Sequence, residues 1–478
     1  MSALTPVEKW SYAIGNIPFS VKDATFVNFV VFYYTQVQGL SGSLAGLAMF
    51  IALTWDAITD PIVGSWSDTF RSRWGRRHPL LVIGGIPTTL LFLVLFPPDL
   101  GLGQTGLFLW LLISSMLLRT FLTIYYIPYS AMGAELSTDY DERTVIAKAR
   151  VTMGWFAGML IAAGAFAFIF QPEGDADGRL IADNYITYGI IAAVLSGVTA
   201  LICLYGTRTV IPRLPTASPT QQTFGLGTIF NDLRTALQNY NFRITVIANL
   251  AFGMAAGVYT TINLYMGTYF WEFSSDQLAA LVVPTFIATL VSFAALNRLG
   301  RSFDKPQLMC AAALCLALNS AWMIGARLMD LLPDNSHDSI YLLQVLNTFI
   351  AVFVIVSLQV LGVSLTADVL DEQELETGKR QEGVFFAASN FIGKATTGFG
   401  ALIAGMIVEI SGIAPGSEPG TVAESVLNIM GGLTMAIIFI LTFSAFLVFR
   451  LIRLSREDHT RIRAELTGSM TPADGTEQ

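Results

Sequence analysis

Asp56 and Asp60 stand four residues apart in an otherwise apolar stretch, and Pro61 follows directly. On a helix, that spacing projects both carboxylates from one face. Two anionic oxygens converging there suit one small hard cation, Na+ or H+. Pro61 removes a backbone donor and is expected to open the helix locally, freeing carbonyl oxygens for coordination. The competing reading is a carboxylate pair neutralised by Lys394 or Lys22 simply to hold helices together. Buried ion pairs are poor stabilisers and need another reason to exist, which favours the ion-binding role.

Other charges sit where the surrounding sequence is apolar. They are Lys22 and Asp23, Arg119, Arg150 and Lys394. Each costs several kcal/mol in hydrocarbon, of the order of ~3 kcal/mol or more, unless it faces a cavity or a partner. Arg119, Thr123 and Tyr126 follow i, i+4, i+7 spacing and form a polar stripe on one helix face, which Pro128 then bends or weakens. A guanidinium in that stripe either pairs with Asp23, Asp56 or Asp60 or meets an anionic solute group. Tyr125, Tyr126, Tyr129 and Trp155 are candidate cavity aromatics, although aromatics in such stretches more often pack or anchor at an interface. Lys394 lies about three turns into its apolar run, too deep to reach water easily. A carboxylate partner is expected, with Asp56, Asp60 and Asp23 the obvious choices.

The elements that must position these residues follow from composition. The chain has 478 residues, 53% hydrophobic and only 13% charged, with 33 Phe and 41 Gly. This is about half the charge density of an ordinary soluble domain. Its mean hydropathy of +0.59 fits a polytopic helical membrane protein. Twelve stretches are long enough to cross hydrocarbon. Six fall near 11–38, 44–66, 79–97, 104–134, 146–171 and 184–206, and six near 243–270, 277–297, 306–328, 339–366, 383–411 and 427–450. The expected organisation is a six-helix bundle over 1–206, a linker over 207–241, a second bundle over 242–452 and a tail over 453–478. The linker is expected to carry one surface helix around Ile229 to Gln238, and the tail to be disordered after Gly468. The densely charged segment from Thr366 to Gly383 reads as a loop or surface helix. Two six-span halves predict a central cavity between them.

Lysine and arginine set the expected orientation. With the N-terminus cytoplasmic, the inner connections collect Arg71, Arg73, Arg76, Arg77, Arg143, Lys148, Arg208, Arg213, Arg298, Arg301, Lys305, Lys379 and Arg380, while the outer ones hold only Arg179 and Arg327. Both termini are therefore expected inside, in a multi-pass protein of a bacterial inner membrane. The turn after the second span carries Asp68, Arg73, Arg76 and Arg77, and the turn after the eighth echoes it with Arg298, Arg301, Asp304 and Lys305. Those arginines with an aspartate could pair with helix ends and hold one conformation closed, or they could serve orientation alone.

Several classes are excluded or disfavoured. The net charge of −8 leaves no basic footprint for nucleic acid. No HExxH or GxSxG pattern occurs, and the three histidines, His78, His337 and His459, lie at loops or the tail, which argues against an enzyme. No sizeable soluble output domain suggests a receptor. Cys203, Cys310 and Cys315 lie in apolar stretches without metal or disulfide spacing and read as small core residues. The segment Met1 to Trp10 lacks the pattern of a cleaved signal peptide. Nothing calls for a cofactor beyond a coupling ion, and nothing argues for an obligate dimer.

The residues resemble the glycoside/pentoside/hexuronide:cation symporter family of the major facilitator superfamily, the group that includes melibiose permease. The resemblance rests on Lys22-Asp23, the Trp55 to Pro61 segment (WDAITDP), the Arg71 to Arg77 loop (RSRWGRR), Ile127 to Ser130 (IPYS), Asp371 through Gly383, and Lys394. It implies an all-α fold of about twelve transmembrane helices and alternating-access symport of a solute with Na+ or H+. Asp56, Asp60 and Thr123 would form the cation site, with Asp56 and Asp60 as the Na+ ligands if sodium is the coupling ion. Asp23 would accept sugar hydroxyls, and Arg150 and Lys394 would be cavity charges tied to the carboxylates. Two departures matter. Tyr126 replaces a second sugar-binding aspartate, and Ser130 replaces an aromatic, so a simple galactoside is not the expected solute. Arg119 in the same stripe could instead favour an acidic or sulfonated sugar. The same branch includes lysophospholipid transporters that keep the paired aspartates, which leaves an amphiphile as the alternative.

Overall fold

A computed structural model of the chain describes residues 4–137, 139–214, 234, 237–377 and 382–469. Nearly all of the surface helix expected in the linker, with Lys379, Arg380 and the end of the tail, lies outside these residues. The described secondary structure is helical apart from one isolated bridge between Glu173 and Ala176. Eleven helical stretches are long and apolar enough to span a membrane among the described residues.

The first expected span is the exception, because it is built in pieces. Thr5 caps α1 (Pro6–Ile14) through a reciprocal bond set with Glu8. Gly15 and Asn16 interrupt it, α2 (Ile17–Asn28) restarts with Pro18 in its first turn, and α3 (Val30–Phe32) leads into a π-helical turn, Tyr33–Val37. Gly39, at φ +74°, then reverses the chain into α4 (Gly42–Thr69), which Ser41 caps. Only glycine takes that left-handed conformation without strain.

Next come α5 (His78–Leu95), α6 (Gln104–Glu135), α7 (Tyr140–Gly164) and α8 (Ala182–Gly206). Pro61 and Pro128 both lie inside continuous helices, α4 and α6, so Pro61 does not open its helix as the sequence suggested. Neighbouring helices tolerate the missing donor. The second half comprises α9 (Tyr240–Tyr265), α10 (Ser275–Ala280), α11 (Val282–Ser302), α12 (Lys305–Leu328), α13 (Asp338–Thr377), α14 (Glu382–Ser411), α15 (Glu424–Phe449) and the charged α16 (Arg456–Ser469). The acidic segment after Thr366 continues α13 rather than forming a separate loop. At 40 residues, α13 is about 60 Å long and projects well past a bilayer core.

The halves meet along α4 and α14, and small residues set the approach. A Cβ on Gly42 would lie 2.2 Å from the Gly405 carbonyl oxygen, and one on Gly46 would lie 2.8 Å from that of Ala401. Without water to drive association, such close backbone packing is what holds helices together in lipid.

The two ends of the molecule differ. At the face away from the termini, bonds cross repeatedly between the halves. The Ser43 N–H donates to Glu409 (2.8 Å), the Gly416 N–H to the Gln36 carbonyl (2.8 Å), and the Gln171 amide to Asp276 (2.8 Å). At the termini-bearing face, strong pairs among the described residues lie within one half. Arg77 joins Asp68 (2.8 Å) and Glu135 (2.5 Å), while Lys305 meets Asp368 (2.5 Å). Among the described residues, the bonds that cross between the halves therefore gather at the face away from the termini.

Candidate functional site

The acid pair sits at the middle of this architecture. Pleated one turn apart on α4, Asp56 and Asp60 face α6 and α14. Lys394 on α14 places its ammonium 3.0 Å from Asp56 Oδ2 and 2.5 Å from Asp60 Oδ2. Of the three carboxylates the sequence offered as partners, it takes both members of the pair, while Asp23 pairs with its neighbour Lys22.

Thr123 on α6 completes the geometry. Its hydroxyl lies 3.0 Å from Asp56 Oδ1 and 3.1 Å from Asp60 Oδ1, so its single proton is shared between them. Arg119, one turn earlier, sits 3.4 Å from Asp56 Oδ2 and lays its guanidinium over Phe26, 4.4 Å from the ring centre. Two carboxylates and two cations make a neutral cluster. The cluster also has a depth order. The side chains of Arg119 and Asp56 are 4% and 9% exposed, whereas Asp60 and Lys394 are 28% and 31% exposed. Arg119 and Asp56 form the back wall, and Asp60 and Lys394 face the opening. That opening is a cavity of about 290 Å³ lined by Ala57, Asp60, Pro61, Ile127, Ala387, Asn390, Phe391 and Lys394.

A second cluster lies on α2 and α6. Phe19 stacks on Tyr126 at 4.1 Å between ring centres, and Lys22 holds its ammonium 4.3 Å from the same Phe19 ring. Asp23 is half exposed beside it. Arg150 of α7 donates to the Ser130 hydroxyl, at the position where the sequence departs from the melibiose-type aromatic, and its carbonyl accepts from Asn16. No hydrogen bond or ion pair among the described residues joins Asp23 to Asp56 or Asp60.

The loop arginines divide. Arg76 and Arg77 both reach Glu135 on α6, and Arg77 also holds Asp68 and Ser67, whereas Arg73 stays exposed against Trp74. Sequence reasoning overlooked Arg179, treated only as an outer-loop charge. It is almost fully buried, pairs with Asp177, and donates to the Thr268 hydroxyl (3.1 Å) and the Phe273 carbonyl (2.9 Å) of the other half. The adjacent Asp177 was the one signal that could have marked it.

Among the described residues no group of three or more His, Cys, Asp or Glu side chains could hold a metal ion. A cation between Asp56 and Asp60 would therefore draw its remaining ligands from the Thr123 hydroxyl and neighbouring oxygens, and would have to replace the Lys394 ammonium.

A helical membrane body split into two packed halves, closed at one face, with a charge cluster at the seam, defines a membrane transporter of the major facilitator fold. A family model described as "MFS/sugar transport protein" matches residues 11–456, and the chain belongs to that family. Among its relatives, the inner membrane symporter YicJ of Escherichia coli (strain K12) is 23% identical over 86% of this chain and 84% of its own length. The isoprimeverose transporter of Lactiplantibacillus pentosus is 20% identical over 85% of this chain and 80% of its own. A solved D-xylose-proton symporter superposes with a TM-score of 0.63 at 16% identity, over 94% of this chain and 98% of the other. The chain is thus a multi-pass integral membrane transporter.

Proposed function

We propose that the protein couples entry of a sugar-like solute to a monovalent cation, Na+ or H+, by alternating access in a bacterial inner membrane with both termini cytoplasmic. The observation that carries this reading is the Asp56, Asp60, Thr123 and Lys394 cluster at the seam of the two halves. Lys394 occupies the place a coupling cation would take. A cation entering between the carboxylates displaces the ammonium, and the freed Lys394 is then available to the solute and to the movement of α14. Asp56, Asp60 and Thr123 are assigned to the cation, with Arg119 pairing with Asp56 from behind. Asp23, Tyr126 and Arg150 line the solute's path, and Lys394 passes between the two roles. The orientation is supported by the concentration of Lys and Arg at the termini-bearing face.

Relatives of this chain include a protein named as an isoprimeverose transporter, which supports a glycoside as solute. Coupling is reciprocal, so the cation must tighten solute binding and the solute must tighten cation binding by the same factor. A thermal-shift screen tests this directly: isoprimeverose, simple glycosides, hexuronides and lysophosphatidylcholine, each with and without Na+ and across pH. A glycoside whose stabilisation grows with Na+ or with protons is the expected result. Stabilisation by lysophosphatidylcholine alone would replace the sugar reading with the amphiphile one, and cation-independent stabilisation would remove coupling.

A further inference from the structure

The charges along the solute's path do not balance. Asp56 and Asp60 are matched by Arg119 and Lys394, and Asp23 by its neighbour Lys22. Arg150 is left over. Among the described residues no carboxylate forms an ion pair with it, and its side-chain partners are hydroxyls, those of Ser130 and Tyr12. Four cations thus face three carboxylates, a surplus of one positive charge. An arginine kept only for orientation would extend to water at the end of α7. Arg150 is instead half-buried and turned toward α6, and its own carbonyl is tied to Asn16 at the break between α1 and α2.

Tyr126, one turn before Ser130 on α6, shows what the surplus faces. It is only partly buried, and its hydroxyl lies near enough to Arg150, Asp23, Asp60 and Lys394 for all four charges to act on it. One spot on α6 is therefore flanked by the unpaired guanidinium, by the half-exposed Asp23 and by the lysine that a coupling cation displaces. Displacement changes the balance there. Once a cation takes the place of Lys394 between Asp56 and Asp60, the ammonium joins Arg150 as a second free positive charge. Cations without a counter-charge are costly at bilayer depth, so such a place is completed by an anion.

We propose that the solute carries one carboxylate, as a glycosiduronate does, and that Arg150 is its specificity-determining residue: the ring hydroxyls meet Asp23 and Tyr126, and the carboxylate is taken by Arg150, joined by Lys394 when the cation is bound. This inference rests on the symport reading above and narrows it to acidic sugars. Guanidinium–carboxylate pairing is charge-assisted and can be bidentate, so it is roughly twice as strong as a neutral hydrogen bond. Arg119, the other arginine of the site, is already spent on Asp56 and Phe26. Charge also favours a carboxylate over a phosphate. One monovalent cation and one carboxylate make a neutral cargo, so the loaded and the empty protein carry the same charge through the membrane, whereas a phosphate dianion would make them differ.

The test uses the full chain in lipid nanodiscs and matched methyl glycosides of the gluco and galacto series, each as the neutral glycoside, the uronate and the uronamide, with glucose 6-phosphate beside them. Affinity is read by isothermal titration calorimetry with and without Na+ and over a range of pH. The uronamide keeps the size of the uronate but not its charge. In at least one series the uronate is expected to bind about tenfold or more tighter than the uronamide, the worth of one charge-assisted hydrogen bond. That ratio should grow when the coupling cation is added. Arg150→Gln should bring the ratio toward one. Arg150→Lys, which keeps the charge, should retain most of it and guards against misfolding. A wild-type ratio near one, no uronate bound in either series, tighter binding of glucose 6-phosphate, or an unchanged ratio in Arg150→Gln would overturn the proposal. A neutral glycoside bound as tightly as its uronate, and tightened further by the cation, would overturn it and leave symport intact. Solutes that bind with no cation response at all would instead remove the symport reading, and this inference with it.

Discussion

Replacing Lys394 by Met should unbalance the acid pair in a way that an added cation repairs. One ammonium now serves both carboxylates, at 3.0 Å from Asp56 and 2.5 Å from Asp60. Asp56 keeps Arg119 at 3.4 Å, so the charge left uncompensated is that of Asp60, whose remaining partner is the Thr123 hydroxyl. Leaving one buried charge unpaired costs about 3–5 kcal/mol. Because Asp60 is 28% exposed to the cavity, the lower end, ~3 kcal/mol, is expected. If the vacated place is the cation site, an external cation refills it, and saturation at a hundredfold excess over Kd restores about 2.7 kcal/mol. Thermal unfolding in nanodiscs, followed through a Na+ titration at fixed pH and a proton titration without Na+, reads both effects. Lys394→Met should melt below the wild type without the cation and show a larger cation-dependent rise, since no ammonium has to be displaced. Adding Asp60→Asn to Lys394→Met restores neutrality. The double variant should regain stability and lose the cation response. A Lys394→Met protein as stable as the wild type, or one indifferent to both Na+ and pH, would refute the reasoning.

Three further outcomes are expected. Arg119→Gln should lower uptake of neutral and acidic glycosides alike, because Arg119 is buried against Asp56 and Phe26, and selective loss for acidic solutes would instead place it on the solute. Gly42→Val should prevent closure of the face away from the termini, since even a Cβ there would sit 2.2 Å from the Gly405 carbonyl oxygen. Arg179→Ala should loosen the same closure, and spin labels at Asp99 and Glu424 should report longer distances in both variants. Glu8 gives a pH dependence at the termini-bearing face. Burial pushes its carboxyl upward, but hydrogen bonds from Thr209 and Thr5 and the nearby Arg213 outweigh burial and hold it below the ordinary value. The attachment of α1 to the 208–213 turn should therefore be at full strength above the ordinary Glu pKa of about 4.3 and be lost as pH falls through the lowered value. In Glu8→Gln, protease protection of this segment should be weaker and flat across that range.

The sequence was most informative where lipid leaves little choice. Charges at bilayer depth need partners, and that logic offered Lys394 three carboxylates, Asp56, Asp60 and Asp23, of which it takes the first two. The i, i+4 spacing of Arg119 and Thr123 likewise put both on the face that meets Asp56. What one chain could not reveal was depth within the cluster. Whether Arg119 points at a cavity or at Phe26 depends on α2, a piece of the segment least regular in its sequence. Breaks at Gly15, Asn16 and Phe29 were invisible to a hydropathy window, which averages over them. One proline misled in the other direction: Pro61 signals interruption in water, but packed membrane helices absorb the missing donor. Arg179 escaped notice because burial between two loops is a tertiary property, and a lone arginine in a short polar connection carries no periodicity.

The central claim is that Asp56 and Asp60 bind the coupling cation, and it is tested most directly by solute uptake into membrane vesicles under an imposed cation gradient. With isoprimeverose or whichever solute the stability screen selects, Asp56→Asn and Asp60→Asn proteins, expressed at the wild-type level, should lose accumulation driven by Na+ or proton gradients. Gradient-driven accumulation at the wild-type rate in both variants would contradict the account.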